Sequence, residues 1–387
     1  MSRGPLGTDA VAPVLQALAG PPAVRQRRAR IAWARLAEPD DAGVRAAVAE
    51  HGHVGALERL VEGAIPGERF TRRALALDVD RDEQIAQRLG ARLITPADTG
   101  EWPAQLDALE QPPHCLWVRG APLGPVTERA VSIVGARAST AYGDQAAGDI
   151  AAGLADRGFT VVSGAAYGID AAAHRGALAA GGFTVAVLAC GVDRAYPAGH
   201  RGLIDQIVQE GCVVAELPPG SAPYRGRFLI RNRLIAGLAD GTLVVEAGLR
   251  SGTMRTARDA EAANRVLMAL PGPVTSMASA GCHELIRSGG AQLVTDAAEV
   301  AELCGRLVAD LAPVPRGPST PLDHLDPLAL AVRDALSPRR WEPPDVVAGR
   351  AVREVGEVLG ALGRLELEGL AERGDDGRWR RSAPAGS

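Results

Sequence analysis

The chain has 387 residues, of which 47% are hydrophobic and 23% are charged. These ordinary globular values exclude a wholly disordered or fibrous chain, and the length is typical of roughly two to three domains. The net charge of −4 excludes nucleic-acid binding through bulk positive charge, so any anion site must be local. All 42 basic residues are arginine, because the sequence contains no lysine. The number of arginines therefore indicates coding bias, and only their positions are informative.

The cysteines and the apolar segments indicate the compartment. Five widely spaced cysteines, with no Cys-x-x-Cys pair, argue against a disulfide framework or a cysteine zinc site. The N-terminus lacks the apolar stretch and small-residue cleavage site of a secretory signal, and no apolar run approaches the ~18 residues of a membrane-spanning helix. The sequence therefore predicts a cytoplasmic protein with no metal site and no membrane contact.

Residues 1–90 predict a small helical domain. Their apolar residues recur at helical spacing, and glycines fall at the breaks, as in sterile-alpha-motif or helix-hairpin-helix modules. The basic cluster at 25–30 is interpreted as a solvated face rather than a phosphate contact. Residues 91–124 form a Pro-rich bridging stretch with one short apolar run around 116–118.

From about residue 129 the pattern changes to short, almost entirely apolar runs separated by helix-like stretches. Such runs are typical of strands in a parallel sheet that is covered on both faces, which predicts a doubly wound, mostly parallel α/β domain over 91–312. The predicted helices lie at 141–157, 168–180, 201–210, 228–239 and 253–264, between runs that include AVSIVGAR, FTVVSGAA, FTVAVLACG, GTLVVEAG and RVLMALPG.

A Pro-rich linker is predicted at 313–324, where no regular element could persist. Residues 325–387 then predict three helices followed by a hairpin around Gly-Asp-Asp-Gly, an order typical of a winged helix. The long helix over 351–368 has more acidic than basic residues and would repel phosphate, whereas the wing is positive through Arg378, Arg380 and Arg381. The module is therefore interpreted as protein-contacting or regulatory.

Ligands of open parallel sheets bind beyond the carboxyl ends of the strands. Arg137 follows the first strand of the α/β domain after the Gly135 turn, which suits an anion at a helix N-terminus. After the next strand, Ser163, Asp170 and His174 could form a hydrolytic triad. A helix cap and a helix-packing histidine explain the same residues better, because no Gly-x-Ser-x-Gly elbow surrounds Ser163.

The strongest local feature is the segment 225–265, which contains eight arginines and four acidic residues, a net charge of +4. Within it, Ser251, Gly252 and Thr253 follow a strand and precede a helix, so hydroxyls, backbone N–H groups and the helix dipole would converge on one anion. The alternative is a set of solvated helix faces with internal Arg–Glu pairs. The dinucleotide fingerprint is absent after the first α/β strand and the Walker lysine cannot occur, so no nucleotide cofactor is predicted.

Residues 90–300 together resemble the DNA-processing protein A family (DprA, also called Smf). The resemblance is carried, in order, by SIVGAR, VVSGAAYGIDAAAH, GVDRAYPAGH, ELPPG, FLIRNRLIAGLA, LVVEAGLRSGTMRTARDAEAANR and LPGPV. It implies an extended Rossmann-like domain that binds single-stranded DNA without catalytic turnover. It also implies a homodimer that loads RecA recombinase on DNA taken up during natural transformation (competence), with helical and winged-helix modules at the two ends.

The resemblance also implies a basic pocket built around Arg137 and the two arginines of the RNR motif. Many family members carry a basic residue where this chain has Tyr167, which therefore either stacks on bases or packs in the core; among the few aromatic residues, Phe228 is the other candidate for stacking. The predicted DNA- and phosphate-binding residues are Gly135, Arg137, Ser163, Gly164, Tyr167, Gly168, Arg225, Arg227, Phe228, Arg231, Asn232, Arg233, Ser251, Gly252, Thr253 and Arg255.

A second class of function stays open, a nucleotide-processing enzyme such as a phosphoribohydrolase on a related Rossmann-like fold. Glu246 or Glu261 would then be catalytic. Glu246 ends a buried strand, where it could instead pair with a neighbouring arginine, and the Pro-Gly-Gly-x-Gly-Thr loop expected of that class is missing.

Overall fold

The computed structural model describes residues 5–306, 309–313 and 321–382. The chain divides into two compact units after Ala312. The predicted linker at 313–324 lies largely outside the described residues, and its last part, Pro321–His324, is a 3-10 helix. No helix in the described ranges is long and apolar enough to cross a membrane.

The first unit begins with helices that pack around Trp33. Its indole is fully buried and donates a 3.0 Å hydrogen bond to the His53 carbonyl. The second helix begins at Pro22, whose fixed φ suits the first turn, and Asp41 caps the third helix by accepting from the Val44 N–H. The helices are α1 (Thr8–Ala17), α2 (Pro22–Leu36), α3 (Ala42–Val61, kinked at Gly52), α4 (Thr71–Ala74) and α5 (Val79–Arg88).

A nine-stranded sheet follows in the same unit. Its strands are β1 (Ala91–Ile94), β2 (Leu116–Gly120), β3 (Ala130–Val134), β4 (Thr160–Ser163), β5 (Thr184–Leu188), β6 (Cys212–Ala215), β7 (Gly241–Val244), β8 (Val266–Ala269) and β9 (Gln292–Leu293). Their order is β1-β2-β6-β5-β4-β3-β7-β8-β9. Strands β3 to β9 pair in parallel, which confirms the mostly parallel α/β fold.

The edge formed by β1 and β2 is antiparallel, and β2 also pairs antiparallel with β6. The sequence interpretation as a bridging stretch was wrong for these residues, apart from the apolar run within β2. Because β1 is a four-residue edge strand that contains Arg92, its composition gives little strand signal.

Helices cover both faces of the sheet because successive strand residues point to opposite sides. On one face, Val131 and Ile133 of β3 pack with the helices that follow β3, β4 and β9; on the other, Ala130 and Val134 pack with the helices that follow β6, β7 and β8. The helices of this part are α6 (Leu123–Thr127), α7 (Ala141–Asp156), α8 (Ile169–Ala179), α9 (Arg201–Glu210), α10 (Arg225–Gly237), α11 (Thr253–Ala262), α12 (Ala280–Arg287) and α13 (Ala297–Cys304). The predicted boundary after residue 90 falls between α5 and β1 and stays a prediction.

In its described residues the second unit has three α-helices and a hairpin around its own apolar core. The core includes Val332, Val347, Leu362 and Trp379. The elements are α14 (Pro327–Ala335), α15 (Pro344–Ala351), α16 (Val355–Leu367) and the antiparallel pair β10 (Ala371–Arg373) and β11 (Trp379–Arg381). The winged-helix assignment stays a prediction.

Candidate nucleic-acid interface

A cavity of about 590 Å³ lies beyond the carboxyl ends of β3, β4 and β7. The chain runs from β3 to β4 on one side and later returns to the other side of β3 with β7, so this is the point where the strand order reverses and where ligands of such sheets bind. We call this cavity the strand-end pocket. Its lining includes nine of the predicted site residues, namely Gly135, Arg137, Arg225, Phe228, Arg231, Asn232, Ser251, Gly252 and Thr253.

Arg231 forms the floor of the strand-end pocket. Its side chain is buried, and Nη1 donates to the Gly164 carbonyl at 2.9 Å and to the Val187 carbonyl. The buried Nε has no hydrogen-bond partner within the described residues. Burial lowers the pKa of Arg231 to about 10, against the opposing effect of Asp170. An anion in the pocket would therefore be stabilised by a cation that no bonded carboxylate neutralises.

The loop between β4 and α8 is held in an unusual backbone conformation beside Arg231. Ala165 has a φ of 56° and Gly168 a φ of 77°, a region that side chains with a Cβ rarely adopt. The His200 Nδ1 lies 3.0 Å from the Ala165 carbonyl, and Asp170 accepts from the Ala166 N–H at 3.3 Å. A Cβ at Gly168 would collide with the Ala136 carbonyl oxygen. The loop is thus preorganised, and strain of this kind is common at binding sites.

The loops after β3 and β7 form the opposite wall. Thr253 begins α11 and donates to the Gly135 carbonyl at 3.0 Å, which joins the two loops. The neighbouring Ser251 Oγ is buried and has no hydrogen-bond partner in the described part of the chain. The N–H groups of Met254 and Arg255 in the first turn of α11 already bind the Ser251 and Gly252 carbonyls. The Ser251 hydroxyl therefore provides the neutral donor for an anion, next to the positive end of the helix dipole.

Aromatic rings and arginines form the mouth of the strand-end pocket. The Phe228 ring centroid lies 4.8 Å from the Arg137 guanidinium carbon and 5.5 Å from the Tyr196 centroid. Tyr196 and Tyr224 are both exposed and both line the pocket. The sequence interpretation missed these two tyrosines, although Tyr196 lies within the quoted motif GVDRAYPAGH. The arrangement offers stacking surfaces beside phosphate-binding cations.

Tyr167 lies outside the lining of the strand-end pocket. Its ring is 51% exposed and meets the buried His200 edge to face, with centroids 4.5 Å apart. Packing in the core is therefore wrong for Tyr167, and base stacking stays a prediction.

Three predicted arginines also lie outside the pocket, because each is paired with a carboxylate elsewhere. Arg233 forms a buried bidentate pair with Glu216 at 2.7 and 2.9 Å, while Arg227 binds Glu38 and Arg255 binds Asp259. Residues 231 and 233 lie two positions apart, which is about 200° around a helix, so both cannot face one pocket. Of the two arginines in the RNR motif, Arg231 therefore lines the pocket and Arg233 forms a structural ion pair.

Ser163 is likewise structural. It is fully buried and donates to the Ile133 carbonyl at 2.6 Å, while the His174 Nδ1 lies 2.7 Å from the Thr184 hydroxyl. Neither side chain contacts the other in the described residues, so the hydrolytic triad is not formed. Gly164 and Gly168 shape the pocket from behind: a Cβ at Gly164 would collide with the Arg231 guanidinium.

Glu246, one of the two candidate catalytic acids of the alternative function, binds Thr140, the N-cap residue of helix α7. It is buried and accepts from the Thr140 N–H at 2.9 Å and the Thr140 hydroxyl at 2.6 Å, and the arginine pairing that the sequence left open is not formed among the described residues. Glu261 is exposed on α11. Asp170 is the only carboxylate among the described residues that line the strand-end pocket, and no cluster in the described ranges could hold a metal ion.

Comparisons with known proteins identify the family to which this sequence and fold are similar. The family model described as DNA recombination-mediator protein A matches residues 92–305. A Mycobacterium tuberculosis protein named DNA processing protein DprA is 46% identical over 90% of this chain and 93% of its own length. The X-ray structure of Streptococcus pneumoniae DNA processing protein A is 30% identical, with a TM-score of 0.61 over 72% of this chain and 96% of that one. A structure of the Helicobacter pylori protein, which describes its single-stranded DNA binding mode, is 31% identical with a TM-score of 0.49 over 54% of this chain and 93% of that one.

Proposed function

The chain belongs to the DNA recombination-mediator protein A family, and we propose that it is a non-enzymatic protein that binds single-stranded DNA in the strand-end pocket. The observation that carries this proposal is the buried Arg231 guanidinium, which faces the pocket without an ion-pair partner among the described residues. A backbone phosphate would supply a negative charge that Arg231 can bind, and the Ser251 hydroxyl at the start of α11 would donate to one of its remaining oxygens.

Single strands suit this pocket better than duplexes for two physical reasons. A concave site of about 590 Å³ has room for a nucleotide unit but not for the paired and stacked bases of a duplex. The rings of Tyr196, Phe228 and Tyr224 at its mouth can stack only on bases that are not already stacked within a helix. We therefore expect phosphate contacts to give affinity and stacking to give the preference for single strands.

The test is a salt titration of the full chain with a fluorescent single strand and with the matching duplex. We expect tighter binding of the single strand at every salt concentration, and a log–log slope of about −0.7 for each phosphate contacted. Equal affinity for both DNAs would contradict the stacking argument, and an absence of binding would contradict the proposal itself.

Catalytic turnover is not part of the proposal, because the two candidate acids of a phosphoribohydrolase lie away from the pocket. Glu246 accepts two hydrogen bonds from Thr140 at the start of α7, and Glu261 is not among the residues that line the pocket. An assay for base release from nucleoside monophosphates should give no product above the uncatalysed rate. Release that depends on Glu246 would favour the enzyme.

The family further suggests partners, which we propose on that basis alone. The protein would act as a homodimer that protects incoming single-stranded DNA during natural transformation and loads RecA on it, which implies a cytoplasmic location. Light scattering of the full chain at micromolar concentration tests the dimer. Strand exchange by RecA on DNA covered with single-strand-binding protein, with and without this chain, tests the loading.

A further inference from the structure

Glu38 joins the N-terminal helices to the helix that forms one wall of the strand-end pocket. It follows α2 directly and accepts hydrogen bonds from Arg227 of α10, from Nε at 3.0 Å and from Nη2 at 2.9 Å. Arg73 of α4 binds the same carboxylate at 2.6 Å. Burial alone would raise the pKa of Glu38, but the two arginines lower it overall, which keeps the group charged.

Arg227 connects Glu38 to the segment that precedes α10. Its Nη1 donates to the Ala222 carbonyl at 2.7 Å, and its guanidinium carbon lies 4.8 Å from the centroid of the Tyr224 ring. Burial and then the charge of Glu38 raise the pKa of the Tyr224 hydroxyl, which places that hydroxyl in the field of the carboxylate. The Arg227 side chain thus fixes both the backbone and the aromatic ring of this segment.

The fixed segment is the rim of the strand-end pocket. Pro223, Tyr224 and Arg225 all line it, whereas neither Glu38 nor Arg227 does. A second contact acts on the same stretch, because Arg35 of α2 donates to the Pro219 carbonyl at 3.0 Å. The N-terminal helices therefore hold the rim at two points without contributing a side chain to the site.

We propose that Glu38 is a positioning residue for DNA binding, which acts through Arg227 on the rim formed by Pro223, Tyr224 and Arg225. The inference rests on the proposed function, since it describes how the N-terminal helices keep the rim of the same pocket ordered. Its consequence is that the N-terminal helices set the affinity of a site that they do not touch, because a rim that is already ordered loses less entropy when the strand binds.

The sign of the charge makes the test sharp. Glu38→Gln removes a negative charge near the pocket. The weaker Coulomb repulsion of the phosphates would, by itself, strengthen the binding of DNA. Loss of the anchor would instead weaken it, by about five- to tenfold if the coupling is typical of contacting residues. The matched control is Asp40→Asn, since Asp40 is exposed two residues away and has no part in these hydrogen bonds within the described chain.

We expect Glu38→Gln to weaken single-stranded DNA binding with an unchanged salt slope, because no phosphate contact is lost. Asp40→Asn should bind as tightly as wild type or slightly tighter. Equal or stronger binding by Glu38→Gln would overturn the inference. Thermal unfolding of both variants at the same buffer conditions checks that the first unit remains folded during the titrations.

A double-mutant cycle with Arg227→Gln tests whether Glu38 acts through this arginine. If it does, the double variant should bind no more weakly than Arg227→Gln alone, whereas multiplied losses would overturn this route. Wild type and Arg231→Ala in the same titrations separate the two ideas. If the wild type does not bind single-stranded DNA, the proposed function is wrong. If the wild type binds, and Arg231→Ala weakens binding while Glu38→Gln does not, then only the present inference is wrong.

Discussion

Helix α10 carries a buried arginine on each of two sides, and only one of the two is paired with a carboxylate. Arg231, 6% exposed, faces the strand-end pocket and donates only to carbonyl oxygens among the described residues. Arg233, 8% exposed, faces the other way and binds both carboxylate oxygens of Glu216, with a third bond to the Gln111 carbonyl. Similar burial thus has different consequences: Arg233 is already neutralised within the fold, while Arg231 retains a charge that an external anion can use.

The difference shows that the net charge of a segment is a poor guide to an anion site. The segment 225–265 carries a charge of +4, yet three of its arginines are committed to Glu38, Glu216 and Asp259. What identifies the site is a buried cation that is hydrogen-bonded to no carboxylate in the described residues, next to the unpartnered Ser251 hydroxyl and the positive end of the α11 dipole.

Arg233→Met should destabilise the fold, because it leaves the buried Glu216 carboxylate without its counter-charge. Breaking one partner of a buried pair costs about 3 to 5 kcal/mol of unfolding free energy. Urea denaturation followed by circular dichroism measures this loss. The double variant Arg233→Met, Glu216→Leu should regain most of it, since an apolar pair needs no counter-charge.

The same variants separate stability from binding. Under conditions where Arg233→Met is folded, its affinity for single-stranded DNA and its salt slope should match wild type. A reduced slope would show that Arg233 reaches a phosphate, and the division between the two sides of α10 would then be incorrect.

Arg231→Ala should have the largest effect on DNA binding, because it removes the cation that the pocket surrounds. A hydrogen bond to a charged group contributes about 1.5 to 3 kcal/mol, which corresponds to a loss of roughly ten- to hundredfold in affinity. The log–log salt slope should also fall by ~0.7 for one phosphate contact on a single strand. Fluorescence anisotropy over a range of salt concentrations measures both quantities.

Arg231→Lys serves as the matched control. It keeps the charge but loses the planar guanidinium, so it should recover part of the affinity and all of the slope. An unchanged slope for Arg231→Ala would place the phosphate site elsewhere.

The sequence predicted the α/β sheet well because its strands are buried on both faces, which leaves continuous apolar runs such as Val131 to Val134. It also predicted correctly that turns with glycine and hydroxyl-bearing residues follow the strands, because such turns are a local signal in the sequence. It could not show which arginines face the pocket and which are paired with carboxylates. Arg227 meets Glu38 across 189 positions of sequence, and no local pattern encodes such a tertiary partner. Tyr196 was missed for the same reason, because its role depends on a loop that the fold brings to Phe228.

Phe228→Ala should weaken single-stranded DNA binding through stacking rather than charge. Stacking of a base on an aromatic ring contributes about 1 to 3 kcal/mol, so the expected loss is roughly tenfold, with an unchanged salt slope. Tyr196→Ala should give a similar, smaller loss because Tyr196 packs on the same ring. Duplex affinity should change little in either variant, and an equal loss for duplex DNA would contradict stacking.

Deleting residues 320–387 should have the smallest effect, since several arginines of the second unit are paired with carboxylates, as Arg233 is. Arg380 is paired with Glu372 at 2.6 Å, and Arg378 lies 3.5 Å from Asp376. Arg364 of α16 is paired with Asp326 at 2.5 Å. Charges that are already paired and exposed attract phosphate only weakly, and salt screens that attraction over about 8 Å at physiological ionic strength.

We therefore expect the truncated chain to bind single-stranded DNA slightly more weakly than the full chain at low salt and equally well near physiological salt. The comparison needs both salt concentrations, because only a contribution from exposed charges disappears between them. Circular dichroism verifies that the remaining unit is folded. A loss of about a hundredfold at physiological salt would be too large for screened surface charge. It would make the hairpin of β10 and β11 part of the principal DNA site, so that pairing with a carboxylate would no longer distinguish the arginines that bind DNA from those that do not.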